Sequence, residues 1–119
     1  MKLYHSTCIK LSVIDPMIGN YRHDGEDPRA VNQPVVYLTT DKDELFWNVD
    51  EEATYKYVVE IDENDPDLCL DVKDYEFKKK CNEELGVSVN NKWYFYLKPI
   101  NVSETFEWNG QCYIQIPNF

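Results

Sequence analysis

Apolar and polar residues alternate with a period of two near both ends of this chain, and a helical spacing appears in its middle. At the start, Lys2 to Cys8 carries Leu3 and His5 on one face of an expected strand and Tyr4 on the other. Val35-Val36-Tyr37-Leu38-Thr39, introduced by Pro34, is rich in the β-branched and aromatic side chains that suit a pleated, half-buried surface. Thr54 to Asp62 reads as another strand, with Tyr55, Tyr57, Val59 and Ile61 sharing a face. The chain closes on two alternating runs, Glu104 to Trp108 and Gln111 to Ile116, joined by Asn109-Gly110. Asn-Gly between such runs predicts a two-residue type I′ hairpin, because both central residues of that turn need positive φ.

Two helices are expected between the strands. Thr40 stands as an N-cap, with Asp41, Asp43 and Glu44 in the first turn, where carboxylates complement the helix dipole, and Leu45, Phe46 and Trp47 on the buried side. Asp71 caps the second helix, Val72 to Leu85, whose apolar side is Val72, Tyr75, Cys81 and Leu85 and whose C′ residue is Gly86. Trp93 to Leu97 is an apolar run that fits the end of a helix or a strand. Asp15 to Pro34 shows no periodicity and holds Pro16, Pro28 and Pro34. A loop of that length is usually functional or mobile, and a solvated loop without a ligand is the plain alternative.

The 119 residues fit one domain, 1–119, of globular composition. Twelve Lys and Arg against 22 Asp and Glu leave a net charge of −10. That balance argues against direct nucleic-acid binding, which draws on a basic face, but leaves room for a nucleotide held by two or three local cations. No apolar run approaches a membrane span, and the first residues lack the hydrophobic core of an export signal, so a cytoplasmic protein is expected. Cys8, Cys69, Cys81 and Cys112 form no CxxC pair, which disfavours zinc. Reduced thiols packing as small apolar groups are the plain reading, with two disulfides the alternative. Lys78-Lys79-Lys80 reads as a solvated helix face before it reads as a phosphate patch.

The order His5, Tyr37, Glu107 on three short strands gives these residues joint weight. Leu3-Tyr4-His5-Ser6-Thr7 resembles the first-strand motif of ADP-ribosyltransferases of the His-Tyr-Glu class. Val36-Tyr37-Leu38-Thr39-Thr40-Asp41 is similar to their second motif, and Tyr57-Val58-Val59-Glu60-Ile61-Asp62 to their central strand. The final hairpin resembles the strand bearing the acidic residue, in an arrangement similar to that of small phage-type members. The resemblance implies an α+β fold, an ADP-ribosyltransferase-like split β-sheet core with two or so short helices. It further implies NAD as substrate, a macromolecular and most simply protein acceptor, and a setting in phage or bacterial conflict.

Carried over by residue, the resemblance gives His5 a ribose hydroxyl, the Ser6 backbone of the Ser6-Thr7 pair the carboxamide, and Tyr37 the nicotinamide ring, with Trp47 as a second aromatic wall. Arg22 and Arg29 are the candidates for the phosphates, with Lys10 a third. A carboxylate beside the ribose stabilises the positive charge that grows as nicotinamide leaves. The family pattern puts Glu beside an aromatic on a continuous strand, whereas the Tyr113 strand reads Gln111-Cys112-Tyr113-Ile114. The acid is therefore Glu107, or the position has become Gln111 and the chain binds NAD without turning it over. An inhibitor that imitates nucleic acid through its carboxylates is the alternative from outside the fold.

Overall fold

The computed structural model describes residues 1–17, 34–42 and 54–119. Their elements are strands β1 (Lys2–Thr7), β2 (Val13–Ile14), β3 (Val36–Thr39), β4 (Tyr55–Glu60) and β5 (Leu68–Leu70), helix α1 (Val72–Leu85), and strands β6 (Trp93–Tyr96), β7 (Ile100–Asn101), β8 (Glu104–Trp108) and β9 (Tyr113–Ile116). Seven strands form one sheet in the order β5-β6-β3-β1-β4-β8-β9, and β2 pairs with β7 in a second, two-stranded sheet. Every strand pair is antiparallel.

This corrects the expected α+β class with two or so short helices. The structure is a β-rich domain dominated by the antiparallel sheet, with α1 the single helix among the described residues. The reason lies in pairing between distant segments. Leu68–Leu70, Val13–Ile14 and Ile100–Asn101 are too short to show a period, yet each finds a partner strand. Trp93–Tyr96 resolves as a strand because β3 pairs with it along its whole length, from Val36↔Tyr96 to Thr39↔Trp93. The expected helix through Asp43, Glu44, Leu45, Phe46 and Trp47 lies outside the described residues, as does most of the Asp15 to Pro34 loop. Within the described part, the Thr40 hydroxyl accepts from the Lys92 N–H at 2.8 Å.

Facing residues in a ladder share a sheet face, so the register sorts the side chains. Leu3, Val36, Leu38, Tyr55, Tyr57 and Val59 lie on one face and form the main core with Ile14 and Ile100 of the two-stranded sheet. Tyr57 is fully buried there. Its hydroxyl donates to the Ile9 carbonyl at 2.6 Å and accepts from the Leu11 N–H at 2.8 Å, which moors the turn after β1 to the core. The opposite face carries a smaller cluster, Val35 and Phe95 with Tyr37, Cys69 and Leu97.

Helix α1 has the expected ends: the Asp71 carboxylate accepts from the Asp74 N–H at 3.1 Å, and Gly86 closes it at φ 66°. Its apolar side, Val72, Tyr75, Cys81 and Leu85, does not pack into the core. None of its residues is buried, and Leu85 is 72% exposed. Helical spacing reports which residues share a side, whereas burial needs a facing surface. The closing hairpin also differs from a two-residue turn. Trp108 pairs with Tyr113, so residues 109–112 form the loop. The Asn109 carboxamide accepts from the N–H groups of Gln111 and Cys112, both at 2.9 Å, and Gly110 takes φ 98°. Side-chain acceptance by Asn109 competes with the tight turn and widens it.

Candidate functional site

The centre of the sheet holds its least regular seam. β1 and β4 pair over six residues, Lys2↔Glu60 to Thr7↔Tyr55, whereas the register between β1 and β3 consists of the pair Tyr4↔Thr39. Beside that pair, a side chain also crosses the seam. His5 Nδ1 lies 2.8 Å from the Tyr37 carbonyl oxygen. A carbonyl only accepts, so Nδ1 carries the hydrogen, and in the neutral ring Nε2 is an acceptor. Burial holds the His5 pKa below its ordinary value, outweighing the opposite pull of the Tyr37 carbonyl. The ring is thus neutral at neutral pH.

Two rows of facing residues cross the central strands beside it. One is His5, Tyr57 and Thr105; the next is Thr7, Tyr55 and Glu107. His5, Thr7 and half-buried Glu107 therefore share the face of the main core. His5 and Glu107 are two strands and two residues apart, about 12 Å by ordinary strand spacing, so a ligand rather than a direct bond would join them. Between them stands Tyr55, with its ring 6.2 Å from Tyr57 and 5.3 Å from the edge-on ring of Phe119. The Lys10 ammonium lies 5.6 Å over Phe119. Thr7 accepts from the Ile9 N–H at 3.3 Å and so helps to turn the chain after β1.

Tyr37 and Ser6 leave on the other face, since Tyr37 is two positions from Thr39, which faces Tyr4. The Tyr37 ring meets Phe95 edge-on at 4.6 Å and Trp93 at 5.4 Å, and its hydroxyl donates to Asp71 at 3.1 Å. Asp71 thus joins β3 to the start of α1 through one oxygen while capping the helix with the other. Gln111 is exposed in the 109–112 loop, off the strand on which it was expected to begin β9. Trp47, Arg22 and Arg29 lie outside the described residues. The structure therefore brings His5, Thr7 and Glu107 to one face and separates them from the Tyr37 side chain.

Two contributors escaped the sequence reading. Asp71 was legible only as a cap, because its bond to Tyr37 joins residues far apart in the chain. Tyr57 was legible as core, and its buried hydroxyl, which needs partners, was the available signal for the mooring of Ile9 and Leu11. All four cysteines are free, and Cys8 and Cys112 are exposed rather than packed. No helix among the described residues is long and apolar enough to cross a membrane. No family model, curated protein or solved structure matches this chain.

Proposed function

We propose that this chain transfers ADP-ribose from NAD to a protein acceptor, using the sheet face that carries His5 and Glu107. The observation that carries the reading is the β1–β3 seam, with a neutral His5 ring fixed across it and Glu107 on the same face. His5 Nε2 is the acceptor for a ribose hydroxyl. In the reaction the bond from C1′ to the nicotinamide nitrogen breaks and nicotinamide takes the electron pair. The Glu107 carboxylate offsets the positive charge on the ribose. An acceptor nucleophile then bonds to C1′ and gives up its proton. The net charge of −10 favours an acceptor with a basic surface.

The resemblance assigns the Tyr37 ring to clamp the leaving nicotinamide, and its engagement elsewhere favours a second reading, in which the chain keeps the site without turning NAD over. The Tyr37 ring and hydroxyl are already engaged by Phe95, Trp93 and Asp71. One experiment separates the two. Wild type and Glu107→Gln are incubated with labelled NAD and a bacterial lysate, and NAD binding is followed by calorimetry. Label on a protein that disappears in Glu107→Gln, with NAD affinity kept, is the expected result. Binding without label in either protein selects the binding module. Absence of both binding and label overturns both readings and leaves the acidic mimic, whose partner binding weakens at high salt.

A further inference from the structure

Among the described residues, the cleft between α1 and the segment that leads into β6 departs locally from the acidic character of the chain. Tyr75, Lys78, Lys79, Asn82, Val89, Asn90, Asn91 and Lys92 line a space of ≈ 300 Å³. Three of the twelve basic residues line it, and among the described residues no carboxylate does, in a chain with 22 acidic residues.

The walls are tied together. The Asn82 carboxamide donates to the Val89 carbonyl at 3.0 Å and accepts from the Val89 N–H at 2.9 Å. Lys78 Nζ donates to the Asn91 carbonyl at 3.3 Å and pairs with Asp74 at 2.9 Å, so its charge is matched within the protein. Lys92 is anchored through its backbone, its N–H donating to the Thr40 hydroxyl and its carbonyl accepting from the Thr40 N–H. Its ammonium lies 5.9 Å over the Tyr75 ring. Among the described residues, Lys79 and Lys92 have no carboxylate within ion-pair distance, whereas Lys80, on the same helix, pairs with Glu84 at 4.0 Å.

We propose that this cleft binds a phosphate-class anion, with Lys79 and Lys92 as the charged contacts. Two lysines that line one space between tied walls, neither with an ionic partner among the described residues, supply a field that a compact multivalent oxyanion matches. A singly charged carboxylate would match only one of them. The proposal stands apart from the NAD reading, because the cleft belongs to α1 and residues 89–92 and not to the His5–Glu107 face.

Pyrophosphate, titrated into the full chain and followed by calorimetry and amide NMR, tests it. The expected result is saturable binding that shifts the amide signals of Asn82 and Lys92. The double variant Lys79→Gln/Lys92→Gln should weaken binding at least tenfold, while Lys80→Gln should leave it within twofold. Helicity by circular dichroism verifies that α1 persists in each variant. No saturable binding by wild type, or an equal loss in Lys80→Gln and the double variant, would overturn the proposal. Inorganic phosphate and ADP serve as further probes. Tighter binding of ADP than of pyrophosphate identifies a nucleotide as the source of the anion, and equal binding assigns the cleft to the diphosphate alone.

Discussion

Single side chains set the local chemistry of this sheet, and two of them are open to direct test. Tyr57 holds the turn after β1 through two hydrogen bonds made by one buried hydroxyl. Tyr57→Phe leaves the Leu11 N–H and the Ile9 carbonyl without that partner, at a cost of about 1–2 kcal/mol in urea unfolding, and amide exchange at Leu11 accelerates. His5 links pH to stability. Its folded pKa lies below the ordinary 6.5, so the unfolded chain takes up its proton first as pH falls. Stability therefore declines as pH drops from that value toward the folded one, and this part of the slope vanishes below it. In a series of urea midpoints across that range, His5→Gln should show a shallower decline than wild type. At the alkaline end, burial and the bond from its hydroxyl to Asp65 push Tyr96 up to about 12. The tyrosinate absorbance at high pH should lose a component titrating near 12 in Tyr96→Phe.

At the scale of elements, Asp71 decides how α1 relates to the sheet. Asp71→Ala removes the acceptor of the Asp74 N–H and of the Tyr37 hydroxyl together, with an expected loss of about 2 kcal/mol. Asp71→Asn should recover most of it, as read by denaturation, because the amide oxygen still caps. Elements with strong local signals were legible in the chain itself: β1, β4 and β8 by alternation, β3 by its β-branched and aromatic side chains, and α1 by Asp71 and Gly86. β2, β5 and β7 were not, since two or three residues carry no period and their pairing partners are distant. The candidate site was legible as residue types and not as geometry. Which face His5 shares, with Glu107 rather than with the Tyr37 side chain, follows from register among β1, β3, β4 and β8. Register is a property of strands brought together, and the local pattern of any one strand leaves it undetermined. Lys92 likewise joins Lys79 only because β6 begins beside α1.

For the whole molecule, a net charge of −10 on 119 residues means that folding gathers like charges into a smaller volume. Added salt should therefore raise the urea midpoint through screening, with most of the gain at low ionic strength. Most ladders join segments far apart in sequence, such as Thr7 with Tyr55 and Thr39 with Trp93, which predicts slow folding for a chain of this length. The thin register between β1 and β3 has its own consequence for how the molecule opens. The strand ladders divide the large sheet into a block of β5, β6 and β3 and a block of β1, β4, β8 and β9, which share the main core but whose ladder register between them is the pair Tyr4↔Thr39, with the His5 ring bonded beside it. Amide hydrogens in the first block should exchange through a partial opening of lower free energy than those of β4, so that native-state exchange resolves two cooperative units within one continuous sheet.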